Sequence, residues 1–166
     1  EVPLDPDEIR MIPFDTNAGL GYAFPWTGVR PAGWRMVVPG VYRRDLEGTT
    51  AAQLTYALLP NVTLDYLTTM VPLGLQETYQ LPQPPSSTRV AAGARSWTVF
   101  RAAVTDHGHD VVMVIAVAAD DAGFGYQVGL VSAPDEIDGL YNAVLLPGLD
   151  AFEYKPRPAE PPAVTS

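Results

Sequence analysis

Residues 111–119, "VVMVIAVAA", form an unbroken apolar run between two polar turns, "TDHGHD" and "DDAG". Strict alternation would leave one side of a strand wet, whereas a run that is apolar at every position predicts a strand covered on both faces. It is far too short for a membrane span, which needs roughly 18 apolar residues. The run sits in a series: "RSWTVFRAAVTD", then "HDVVMVIAVAAD", then "GFGYQVGLVSA", joined by Asp/Gly turns at 106–108 and 120–123. Two hairpins in succession predict an antiparallel meander.

Upstream, "GYAFPWTG" gives a brief strand at 21–24 and a Pro/Gly bend. "GWRMVVPGVYRRD" reads as a strand interrupted at Pro39 and Gly40, and "AAQLTYALLP" as a strand ending at Pro60. "NVTLDYLTTMVPLGL" sets Leu64, Leu67, Met70 and Val71 on one helical face, with Asn61 or Thr63 as cap and Pro72 and Gly74 as the stop. Downstream, "SAPDEIDGLYNAVLLPGLDAF" predicts a longer helix. Pro134 suits its first turn, Asp135 and Glu136 its positive end, and Ile137, Leu140, Tyr141, Val144 and Leu145 its apolar face. Pro147 should kink or break it.

The expected organisation is an irregular extension over 1–18, one α+β domain over 19–154, and a Pro-rich linker or tail over 155–166, "KPRPAEPPAVTS". "QETYQLPQPPSSTRVAAGA" reads as an irregular stretch between two ordered halves. A chain of 166 residues can bury a core of its own without staples, and the absence of cysteine removes disulfides and thiolate chemistry together. Ten basic residues against nineteen acidic ones, net −9 and with no basic cluster, exclude nucleic acid and anionic membrane surfaces as partners. The chain begins at Glu1 rather than Met, which predicts a mature or excised product. Any export signal or lipid-bearing cysteine would lie upstream, and that anchor would be the sole link to a membrane.

Four constellations could carry chemistry. His107 and His109, the two histidines of the chain, flank Gly108. An H-x-H pair on a strand could supply two imidazoles to a metal, but a central glycine between acidic neighbours favours a turn. Serines at 86, 87, 96, 132 and 166 lie in no nucleophile elbow. Asp120 with Asp121, and Asp135, Glu136 and Asp138, are read as turn and helix-start carboxylates in solvent rather than an acid–base pair. The fourth, "YAFPWTGVRPAGWR", concentrates aromatic and Arg side chains; Tyr22, Trp26, Arg30 and Trp34 are its candidate partner-binding residues. Its packing alternative has Phe24 and Trp34 in the core and Trp26 and Arg30 stacked to stiffen the loop.

The Trp-initiated strand "GWRMVV", the hairpins from "SWTVF" through "YQVGLV" and the closing helix "DEIDGLYNAVLLPGLDAF" resemble the PsbP-like family over roughly 19–154. That family includes extrinsic photosystem subunits and a Ran-binding import factor. The likeness is greater to bacterial exported domains of the class, some of them lipoproteins, in which a terminal "LY…V.LP..DA" helix recurs. It implies an antiparallel sheet of about six strands covered by helices on both faces, an αβα sandwich. It also implies binding or accessory roles outside the cytoplasm, at the cell surface or secreted. The expectation is a non-catalytic module that needs no cofactor and no metal, whose partner is another protein or an adjacent domain. The alternatives are a small-molecule carrier with a pocket between sheet and helix, and a metal-binding or enzymatic protein using the histidine turn.

Overall fold

A computed structural model describes residues 5–14, 26–46 and 48–154. Its centre is a seven-stranded antiparallel sheet in the order β4-β5-β6-β10-β9-β8-β7. The strands are β4 (Arg35–Val38), β5 (Val41–Leu46), β6 (Thr49–Pro60), β7 (Ser86–Ala92), β8 (Arg95–Asp106), β9 (His109–Ala119) and β10 (Phe124–Ser132). Two small sheets flank it: β1 (Met11–Pro13) with β3 (Val29–Pro31), and β2 (Trp26–Thr27) with β11 (Glu153–Tyr154).

The expected six strands become seven for two local reasons. Pro39 and Gly40 are not an interruption but a two-residue turn, with Val38 paired to Val41 and Gly40 at φ +87. That geometry suits Pro then Gly at the centre of a type II turn. Part of the stretch expected to be irregular is β7, whose small polar residues pair with β8 without a break in register. The strand expected at 21–24 lies outside the described residues, as does the tail from 155. Residues 5–14, expected to be an irregular extension, instead pack on the domain: β1 pairs with β3, and Phe14 stacks on Tyr42 and meets Tyr56 edge-on at 4.8 Å.

Helix α1 (Leu64–Thr78) is capped by Thr63, whose hydroxyl accepts the Tyr66 N–H. It passes straight through Pro72 and Gly74, against expectation. Proline deletes a single backbone bond, and burial of Leu75 one turn further on outweighs it. Leu67 and Leu75 are buried while Met70 is exposed, so the inward face is rotated away from the Met70 position expected of it.

The closing helix also survives its proline. It runs as α2 (Ile137–Leu140), a π-helical turn (Tyr141–Leu145) and α3 (Leu146–Ala151). In the wide turn the Leu146 N–H reaches back to the Tyr141 carbonyl, five residues away, which opens room for the Pro147 ring. Ile137, Leu140, Val144, Leu145 and Leu149 are fully buried.

Strand alternation distributes the core. Val112, Val114, Ala116 and Ala118 of β9 join the large cluster that holds the closing helix, Trp97, Tyr126 and Phe152. Val117, with Ile115 packed beside it, joins a second cluster containing Leu67 of α1 and Phe100. Successive residues of a strand point to opposite sides, so the two clusters lie on opposite faces of the sheet.

Candidate functional site

The face that α1 packs against is covered over only part of its area. On β9, residues 116–118 are buried on both sides, but Val111, Met113 and Ile115 are only half-buried. The strand expected to be shielded throughout is therefore open on one face along its first half. Met113 pairs with Val131, Val131 with Gln53, and Gln53 with Arg43, which makes one row on that open face across β9, β10, β6 and β5. The row floors a groove of about 850 Å³, also lined by Leu46, Val111, His109, Asp110 and Glu136.

Two glycines of β10 on this face mark the boundary. A Cβ on Gly125 would collide with Val62 and come within 2.8 Å of Leu67 Cδ1, because α1 lies directly on the strand there. Gly129, one side-chain repeat beyond Gln127, has nothing within 4 Å of its Cβ position. The sheet is thus in contact with the helix at one glycine and open at the other.

The polar side of the groove is ordered. Arg43 Nε donates to Gln53 Oε1 at 2.7 Å, and Gln53 Nε2 donates to Thr55 Oγ1 at 3.2 Å. On the far rim Asp106 and His109 face each other across a two-residue turn in which His107 and Gly108 both have positive φ, +48 and +79. Gly accepts that backbone freely; His107 tolerates it with its side chain 91% exposed, its Nε2 3.6 Å from Asp106 Oδ1. The imidazoles sit on a rim rather than converging at a cavity floor. Among the described residues no group of three or more His, Asp or Glu side chains is placed to hold a metal ion.

Of the carboxylates expected in solvent, Asp121, Asp135 and Asp138 are exposed, while Asp120, Glu136 and Asp138 have partners. Asp120 accepts hydrogen bonds from the Tyr126 hydroxyl at 2.7 Å and from the N–H groups of Ala122 and Phe124. Burial acts to raise its pKa, but these hydrogen bonds and nearby Arg95 outweigh it, and the pKa lies below the usual carboxylate value. Tyr126 is shifted up, first by burial and then by its bond to Asp120, and Arg95 stands 3.9 Å over its ring. Glu136 pairs with Arg44 at 2.7 Å and Asp138 with Arg101 at 3.0 Å, tying the start of α2 to β5 and β8.

The aromatic loop is packed rather than presented. Trp34 is 7% exposed within the core. Arg30 donates to the Trp34 carbonyl at 3.2 Å and stands over the Tyr42 ring. Trp26 is half-buried, pairs with Tyr154 and meets Phe152 edge-on at 6.3 Å. Tyr22 lies outside the described residues. The sequence reading passed over the Arg43–Gln53–Val131–Met113 row, although Gln53 and Thr55 alternating with Ala52, Leu54 and Tyr56 was a visible sign of a half-open face.

With that geometry established, solved structures supply the fold. Among them is the Ran-binding protein Mog1p of Saccharomyces cerevisiae, with a TM-score of 0.55 and 14% identity over 90% of this chain and 97% of that one. Another is cyanobacterial PsbP (CyanoP) from Synechocystis, with a TM-score of 0.50 and 16% identity over 78% of this chain and 86% of that one. The fold is PsbP-like. A third PsbP-like match is LpqN of Mycobacterium tuberculosis, a protein involved in cell envelope biogenesis, with a TM-score of 0.52 and 15% identity over 94% and 83% of the two chains. The chain spans about half, 46%, of a further match from Bacteroides thetaiotaomicron. No family model and no curated protein matches the sequence. At these identities the likeness carries the PsbP-like fold and no activity.

Proposed function

We propose that this chain is a non-catalytic binding or accessory domain of an exported bacterial protein, and that a partner protein docks in the groove beside α1. The reading takes the sheet as the middle layer of an αβα sandwich whose α1 layer stops short of β5, β6 and the first half of β9. One observation carries it: Val111, Met113 and Val131, apolar and half-buried, floor an open groove that ends at an arginine. A surface of that kind, apolar in the middle and polar at its ends, has the anatomy of a protein interface. A Ran-binding protein and a protein of cell envelope biogenesis among the PsbP-like structures are in keeping with it.

A photocrosslinking residue at position 113, placed in the producing bacterium, tests the proposal. The expected product is a crosslink to one protein outside the cytoplasm, lost when Val131 is replaced by Glu. Crosslinks obtained from positions 26 and 30 but not 113 would move docking to the 22–34 loop and overturn the groove. A small-molecule carrier is the second reading, favoured by a volume within the several-hundred-Å³ range of ligand sites. Co-purification of a bound small molecule, displaced by Val131→Glu without any protein crosslink, would select it.

A further inference from the structure

Arg10 and Arg89 are exposed and meet no carboxylate among the described residues, but of the half-buried arginines Arg43 stands apart. Arg35, Arg44 and Arg101 each meet a carboxylate within 3.0 Å. Arg30 and Arg95 stand over tyrosine rings and donate to backbone carbonyls. Arg43 has no carboxylate within ion-pair distance among the described residues, and its hydrogen bond, from Nε, goes to a neutral amide. Gln53, itself held by Thr55, fixes the guanidinium while leaving the edge formed by its two Nη groups unused. A half-buried cation, oriented in advance and with its forked edge free, is built to receive a carboxylate through two parallel hydrogen bonds.

Its position says which carboxylate. The groove is lined from β9 to β5 and takes no residue from β4, although β4 lies next to β5, so Arg43 stands at the end of the groove rather than along it. From Arg43 the row runs through Gln53 to apolar Val131 and Met113, three strand spacings or about 14 Å, the reach of about four extended residues. The opposite rim carries Asp106, which pairs with His109 on the face of Val111 and Met113, whereas Asp110 points to the other face and takes the Thr105 hydroxyl. Charge therefore changes sign along the groove, from a cation at its end, across an apolar floor, to the Asp106 carboxylate.

We propose that the groove receives the C-terminal end of a partner polypeptide. The α-carboxylate sits on the Nη edge of Arg43, the apolar side chains just upstream lie over Val131 toward Met113, and a basic residue four or more positions upstream, by about the strand rise, faces Asp106. A chain that stops at the arginine matches a groove that stops there. An internal acidic residue would have to carry the chain onward over β4. This rests on the docking role proposed for the groove and specifies its ligand.

The test is an NMR titration of the intact domain with the pentapeptide acetyl-Lys-Ser-Val-Leu-Val bearing a free C-terminus, and with its C-terminal amide. The free acid is expected to give saturable shifts at Arg43 Nε–H, the Gln53 side-chain amide and the Met113 methyl. The amide should bind about tenfold more weakly, and Arg43→Gln should weaken the acid by a similar factor. Arg43→Lys, which keeps charge but loses the fork, should fall between the two. Equal binding of acid and amide, or no saturable shift at those groups up to about 10 mM peptide, overturns the proposal. If a crosslink from position 113 survives Arg43→Gln, the groove still docks protein and only the carboxylate assignment falls. If position 113 gives no crosslink in the unsubstituted protein either, both fall.

Discussion

The two halves of β9 make the comparison that organises this molecule. Its second half, residues 116–118, is buried on both faces, under α1 on one and against the closing-helix cluster on the other. Its first half is apolar to the same degree, yet Val111 and Met113 look into a groove. The turns at its ends differ in the same sense. The Asp120 turn is bound by Tyr126 and backbone N–H groups, while the His107 turn projects into solvent. A run of apolar side chains thus stabilises the fold where another layer covers it and is available for recognition where none does.

Substitutions that remove packing should separate the halves most. Leu67→Ala, on the inward face of α1 against Phe100 and Val117, is expected to cost about 3 kcal/mol in urea unfolding. Met113→Ala in the groove should cost under about 1 kcal/mol, since part of its surface is already wet. If both cost the same, the groove is as closed as the core and the comparison breaks. Next comes Gly125→Ala, expected to lose about 2 kcal/mol because its new Cβ meets Val62 and Leu67.

A smaller effect is expected at the bonded turn. The Asp120 pKa is depressed in the folded state, so its contribution is present above the unfolded carboxylate pKa and is lost as pH falls through the lower folded value. Asp120→Asn should lower stability at neutral pH by under about 1 kcal/mol and flatten the acid limb of the stability–pH profile. An unchanged acid limb would show that the Tyr126 and backbone bonds do not hold the turn.

Much of the fold was legible because it depends on local signals. The turns at 106–108 and 120–123, the β6 end at Pro60 and the inward face of the closing helix follow from Asp/Gly chemistry and periodicity. The misreadings share one cause: a local rule was outvoted by packing that sequence does not display. Pro72 was read as a stop, but burial of Leu75 carries α1 past it; Pro147, expected to kink or break its helix, is met by a π-helical turn and the helix continues. Trp34 and Arg30 admitted both a partner-binding and a packing account, and the described contacts, Trp34 in the core and Arg30 on its carbonyl, are those of the packing account. The groove was hidden for a deeper reason. Where α1 ends over the sheet is a matter of layer geometry, and 111–119 is apolar whether or not something lies above it.

The smallest expected change is also the most pointed. Gly125 and Gly129 occupy the same face of the same strand, and only Gly125 lies against α1. Alanine at 129 adds a side chain into open space and removes a glycine from a strand interior. Stability should therefore stay within about 0.5 kcal/mol of the original or rise slightly. Phenylalanine at 129 should be tolerated nearly as well while its ring lies beside Thr55 and Ile115, one row from the Val131 floor of the groove, where it should weaken docking measured by the position-113 crosslink. A Gly129→Ala loss as large as that of Gly125→Ala would mean that something covers the first half of β9 too. A Gly129→Phe protein that still docks at full strength would place the docking surface elsewhere.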